Sequence, residues 1–185
     1  SERHVRRLKR LCRMVMSLAV SACEATEKAL PPTAVYFGTG WGGMSETYDF
    51  LSKLYASDEQ FTSPTDFIGS VHNAAAGHVA IRFRSTGPNV TTTGGDCSFE
   101  HALYSASLLS HESNSPLLVI GADEHHDILS RLFDASVARE GFPADGGGAL
   151  YLRPATSRSP LQIRPSFISY SGENGNTVSE LITTF

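Results

Sequence analysis

Between residues 3 and 30 the apolar side chains Val5, Leu8, Leu11, Cys12, Val15, Leu18, Ala19 and Ala22 recur at intervals of three and four. That is the spacing of one buried stripe on a helix. Pro31 and Pro32 end it, because proline lacks the N–H that the helical ladder needs and pushes its predecessor out of helical geometry. The all-apolar run Ala34, Val35, Tyr36 and Phe37 predicts a buried strand, and the glycine-rich segment 38–43 predicts a sharp turn before a helix starting near Ser45. Ser63-Pro64-Thr65-Asp66 reads as a helix start, with proline in the first turn and a carboxylate near the positive end of the dipole. It leads into an alanine-rich apolar stretch over 67–83, whose small side chains let a helix pack closely. A turn at 85–88 delivers a strand over 89–93, a bend through Gly94, Gly95, Asp96 and Cys97, a helix over 98–110 and a strand over 117–121. Gly146, Gly147 and Gly148 open a strand through Leu152, residues 161–170 alternate as another, and a loop at 174–176 precedes a last short helical pattern.

Strands separated by helices, followed by paired strands, predict an α/β fold: a mixed sheet covered by helices on its faces. The 185 residues suit a single domain, 1–185. The net charge of −4 conceals a basic start, with Arg3, Arg6, Arg7, Lys9, Arg10 and Arg13 close together. Such a cluster suits an acidic protein partner or, more plainly, the solvated face of a helix. Without interleaved aromatics it points away from nucleic acid. No apolar run approaches the roughly 20 residues of a membrane span, so a cytoplasmic chain with no membrane span is expected. The three cysteines, Cys12, Cys23 and Cys97, are far apart without CxxC spacing. Reduced thiols are expected rather than a disulfide framework or a zinc site.

The bend before the helix over 98–110 is where a nucleophile would sit. A thiol at a helix amino terminus lies near unpaired N–H groups and the positive dipole end, which favour the attacking thiolate. Cys97 is the candidate, with Asp96 beside it either as a helix cap or, if burial raised its pKa, as a base. Glu100 and His101 could reach the same pocket. The turn at 38–43 does not have GxGxxG spacing and no Walker lysine follows, so no nucleotide and no other cofactor is expected. Asp123-Glu124-His125-His126-Asp127 has metal-ligand types, but consecutive residues on one segment rarely face one ion and no second cluster completes a shell. No metal is expected, and His72 and His78, six apart, do not share a helical face.

Four segments, in this order, resemble the N-terminal half of the β-ketoacyl synthases, which have the thiolase fold. They are Phe37-Gly38-Thr39-Gly40-Trp41-Gly42-Gly43; residues 73–83 closing on Gly87-Pro88-Asn89; Leu118-Val119-Ile120-Gly121-Ala122-Asp123-Glu124; and Gly141-Phe142-Pro143-Ala144-Asp145-Gly146-Gly147-Gly148-Ala149. Asp145 stands where that family usually has glutamate. In the synthases the nucleophilic cysteine follows Gly-Pro-Asn by a fixed count, which falls here on Asp96, with Cys97 one residue late. An insertion within 91–95 would restore Cys97 to the elbow. The family takes its two catalytic histidines from HGT-like and GH-like motifs of a C-terminal half, and the seven histidines of this sequence match neither.

The chain resembles in particular the ketosynthase-like chain-length-factor proteins found beside polyketide and aryl-polyene-type synthases. That resemblance implies a non-catalytic subunit that pairs with a complete ketosynthase and shapes its acyl tunnel. Phe67, Ile68, Asp96 and Phe99 are the implied tunnel residues. Pairing, with a ketosynthase or with a second copy, would use the edge strand 89–93 through Asn89, Thr91 and Thr93. Acyl carrier protein is the further partner implied, with Arg6 and Arg10 as contacts. The alternatives are a split synthase that uses Cys97 as acyl nucleophile, and a scaffold that binds acyl carrier protein without handling the acyl group.

Overall fold

The computed structural model of the chain describes residues 8–60, 63–109, 115–133, 143–155 and 163. Its four strands, β1 (Ala34–Gly38), β2 (Asn89–Thr92), β3 (Leu117–Asp123) and β4 (Gly146–Leu152), form one sheet in the order β2-β1-β3-β4. β1 is parallel to both neighbours and β4 is antiparallel to β3, so the sheet is mixed as expected. Parallel neighbours need crossover connections, and helices supply them. Helices α2 (Met44–Ala56), α3 (Pro64–Ser70) and α4 (Ala74–Phe83) lie between β1 and β2, and α5 (Ser98–Leu109) lies between β2 and β3. α1 (Arg10–Glu24) precedes the sheet, and the short α6 (Leu129–Phe133) lies between β3 and β4.

Side chains alternate across the sheet, as strand geometry requires. Val35, Phe37, Leu118, Ile120 and Ala122 face one way, onto Leu11, Cys12, Val15, Met16 and Ala19 of α1 and Ala75, Ala76 and Val79 of α4. Ala34, Tyr36, Leu117 and Val119 face the other way, onto Ala102 and Ala106 of α5. Every residue of β1 is buried, as befits a strand flanked on both edges and covered on both faces.

Some elements differ from the sequence pattern. α1 ends at Glu24, well before the proline pair, because the polar run Glu24-Ala25-Thr26-Glu27-Lys28 offers no apolar stripe and Lys28 turns left-handed at φ 53°. The apolar stretch 67–83 is two helices, broken where Val71 becomes extended at ψ 144° and a turn runs through to Asn73. The expected strand 161–170 lies outside the described residues apart from Ile163, as do the 174–176 loop, the last helical pattern, and Arg3, Arg6 and Arg7 of the basic start. Two residues of the described part of that start, Lys9 and Arg10, are paired internally. Lys9 Nζ meets Asp49 at 2.9 Å, and Arg10 is paired with Asp145 while Nη1 donates to the His125 carbonyl at 3.1 Å.

Candidate functional site

The carboxyl ends of β1 and β3, the amino end of α5 and the start of β4 enclose an open cleft of about 550 Å³. Gly38, Gly40 and Trp41 form one wall, Asp96, Ser98 and Phe99 another, with residues 121–123 and 146–148 between them. Ligands of open α/β sheets bind at this end of the strands. A smaller hollow of about 220 Å³ at the opposite end, lined by Thr33, Thr86 and Leu109 among others, has no titratable side chain in its wall.

Close backbone approach builds the cleft. A Cβ at Gly38 would run into the Ser98 carbonyl and lie 2.7 Å from Phe99 Cα, and one at Gly121 would lie 2.7 Å from the Phe99 ring. Glycine at these positions lets α5 start directly against β1 and β3. Ser98 then fixes the bend: Gly94 N–H donates to its Oγ at 2.9 Å, its hydroxyl donates to the Gly95 carbonyl at 2.7 Å, and Thr92 Oγ1 donates to its carbonyl at 2.8 Å. Gly95, at φ +60°, opens a 3₁₀ turn, Gly95–Cys97, that leads into the helix.

Asp96, expected as a cap, makes no capping hydrogen bond; it is exposed and stands in the lining of the cleft, and the Ser98 side chain makes the hydrogen bonds of the bend instead. Cys97 is half-buried and is not among the cleft-lining residues. Phe99 lines the cleft, whereas Phe67 and Ile68 lie exposed on α3, with the Phe67 ring centroid 5.7 Å from that of Phe50 in a tilted contact and neither residue in the cleft wall. Glu100 and His101 also lie outside the lining; the His101 ring covers Gly94, where a Cβ would lie 2.7 Å from Nδ1. Asn89 and Thr93 are exposed, Thr91 is half-buried with its hydroxyl lacking a partner, and among the described residues β2 pairs with β1 alone.

The run 123–127 is committed to local structure. Asp123 Oδ1 accepts from Thr39 Oγ1 at 2.8 Å and from the N–H groups of Gly40 at 2.8 Å and Trp41 at 3.2 Å, which ties the β1–α2 turn to the end of β3. Glu124 Oε1 accepts from the Ser45 N–H at 2.6 Å. The His125 N–H donates to Asp145 at 2.9 Å, and His126 Nδ1 accepts from the N–H groups of Ile128 and Leu129, so it caps α6. Among the described residues no group of three or more His, Cys, Asp or Glu side chains could hold a metal, and no helix is long and apolar enough to cross a membrane. Burial, reinforced by the charges of Glu46 and Glu124, pushes the Cys12 thiol up to about 12, and burial also raises Cys23. Thr39, Trp41 and Ser98 were missed as site residues. Their signal was their position beside the glycine turns, since ordinary residues next to obligatory glycines are the ones held in fixed places.

The family model for the β-ketoacyl synthase N-terminal domain matches residues 4–164. The chain belongs to that family. No curated protein matches the chain. Among solved structures it is similar to a ketosynthase (ApeO) in complex with its chain length factor (ApeC) from Xenorhabdus doucetiae, with TM-score 0.67, 21% identity, and 85% of this chain and 62% of that one covered. The ishigamide ketosynthase/chain length factor matches with TM-score 0.67 and 22% identity over 83% of this chain and 45% of that one. A β-ketoacyl synthase from Burkholderia phymatum matches with TM-score 0.60 and 15% identity over 76% and 36%. At these identities the structures establish the shared fold, and this β-ketoacyl synthase-like chain spans less than two thirds of each of them.

Proposed function

We propose that the chain is a non-catalytic, chain-length-factor-like ketosynthase subunit that pairs with a complete ketosynthase and forms part of the wall of its acyl tunnel. The observation that carries this reading is the cleft at the α5 elbow, where Asp96 rather than Cys97 stands in the lining. A carboxylate there cannot form the acyl thioester through which covalent catalysis would proceed. Two of the similar structures are ketosynthase and chain-length-factor assemblies, which supports the same reading. Among the described residues β2 is an edge strand, which supports pairing of strands across a subunit boundary. Product length should then follow the space left in the cleft. Gly148 lines it, and a Cβ there meets nothing within 4 Å. Gly148→Val in the chain reconstituted with its ketosynthase should shorten the products; unchanged products would sink the tunnel role.

One observation favours a second reading, a split synthase acylated on Cys97. Cys97 stands half-exposed at a helix start, while burial raises the pKa of both other thiols. Intact-mass measurement after incubation with acylated carrier protein separates the two. An acyl adduct on Cys97 of this chain makes it half of an enzyme, and an adduct only on the partner supports the tunnel subunit. Binding of carrier protein through the basic start belongs to the proposal in weakened form, since Arg10 is already paired with Asp145. Arg6→Ala should loosen carrier protein more than Arg10→Ala, as read by salt-dependent titration.

A further inference from the structure

Behind the cleft lie two carboxylates that acyl handling does not use. Glu46, in the first turn of α2, is 4% exposed, and Glu124, directly after β3, is 3% exposed. Both oxygens of Glu46 and Oε2 of Glu124 are shut off from solvent with no hydrogen-bond partner; Glu124 Oε1 alone is satisfied, by the Ser45 N–H. The Glu46 side chain is pressed against backbone: a Cβ at Gly43 would lie 3.1 Å from its Oε2, and one at Gly69 3.6 Å from its Cγ.

The charged and titratable groups acting on Glu46 are Glu124, Lys9 at the start of α1 and Asp49 on its own helix; Cys12 of α1 in turn feels both glutamates. Lys9, which lowers the pKa of Glu46 only weakly, is engaged by Asp49 at 2.9 Å, and Cys12 is a neutral thiol, so among the described residues no cation pairs with either buried carboxylate. Buried carboxylates in that position hold a proton or an ion. The absence, among the described residues, of any group of three ligand side chains favours the proton. Glu46 is the holder, because Glu124 accepts a 2.6 Å hydrogen bond from the Ser45 N–H while neither oxygen of Glu46 has a well-formed one, its own backbone N–H pulling its pKa down less than burial and Glu124 push it up. Burial, with the Glu124 charge adding to it, raises Glu46 in agreement.

We propose that Glu46 and Glu124 form a proton-held latch: Glu46 is a neutral acid at neutral pH, and its ionisation at higher pH drives the start of α2 away from residue 124 and moves the cleft wall carrying Trp41. The mechanical link is short. Glu124 follows Asp123, which grips Thr39, Gly40 and Trp41, while Ser45 and Glu46 follow the same turn on its other side. Because the folded-state pKa of Glu46 is raised, the contribution of this group to stability is complete below the unfolded carboxylate range and is lost as pH rises through the folded value.

The test is a pH titration of the full chain, read by infrared difference spectroscopy of the protonated-carboxyl carbonyl band and by emission of Trp41, the one tryptophan. The band should persist at neutral pH and vanish at higher pH together with a shift in emission. Glu46→Gln should abolish both changes, and Glu124→Gln, by removing the like charge, should move them to lower pH. Lack of the band at neutral pH in the natural chain, or an emission shift retained by Glu46→Gln, overturns the latch. If Glu46→Gln does not fold, Glu124→Gln decides: a transition that stays at the same pH overturns the proposal. Repeating the titration in sodium and in potassium salts adds a control, and a transition set by the choice of cation would mean a bound ion in place of the proton.

Discussion

The two faces of the sheet are finished to different degrees. One is closed by α1 and α4, whose buried residues interdigitate with Val35, Phe37, Leu118 and Ile120 in a continuous core. The other carries α5, which of its apolar residues buries only Ala102 and Ala106 fully against the sheet, with Phe99 and Leu103 half-buried beside them, and exposes Tyr104, Leu108 (56%) and Leu109 (58%) among the described residues. Small contacts bring α5 close to the strands, as its place beside the cleft demands, with Phe99 and Leu103 adding half-buried contacts and the exposed large side chains adding none. The closed face holds the larger core, and the α5 face carries the elbow of the cleft together with large apolar side chains that are exposed among the described residues.

The largest test of that contrast is substitution on each face. Phe37→Ala should cost about 3–5 kcal/mol of unfolding free energy in urea denaturation, as for a buried aromatic. Leu108→Ser should stay within about 0.5 kcal/mol for the chain alone. Equal losses would mean that the α5 face is core after all, whereas a loss of partner association with Leu108→Ser and none with a surface control would sharpen its role as an interface. Next in size is the backbone fit at the elbow: Gly38→Ala should cost roughly 1–3 kcal/mol by overpacking against α5. Gly148→Ala, whose Cβ meets open space, serves as the tolerated control. Smaller still is the turn itself. Thr39→Val removes a donor to Asp123 and an acceptor for the Gly42 N–H, for a loss of about 1–2 kcal/mol. Quenching of Trp41 by acrylamide should rise in that variant, and unchanged quenching would show that Asp123 holds the cleft wall without Thr39.

The strands and α5 could be read from the sequence because local periodicity sets them: β1 as an unbroken apolar run, β3 likewise, and α5 after a double-glycine bend. The order of glycine-rich segments also carried the family. What could not be read depends on distance or on backbone detail. The Arg10–Asp145 pair joins positions 135 apart, so a cluster that looks free along the chain is partly neutralised in space. The break between α3 and α4 lies inside a stretch whose apolar, alanine-rich composition is as suitable for one helix as for two. At the bend, Asp96 and Ser98 are both good caps by residue type. The left-handed turn at Gly95 decides between them, because it aims Asp96 at the cleft and Ser98 at the backbone. Nothing in the sequence pattern marks Glu46 or Glu124 as interior; the packing of Gly43 and Gly69 against Glu46 reveals the first.

The elbow is held by backbone atoms and by Ser98 and Thr92, with the residues at 96 and 97 making no part of either core. Chemistry and architecture are therefore separable at this point in the molecule. A lineage can exchange a thiol for a carboxylate here, or lose reactivity altogether, and still inherit an intact fold. Substitution at 96 or 97 changes what the cleft can do without changing the frame that presents it.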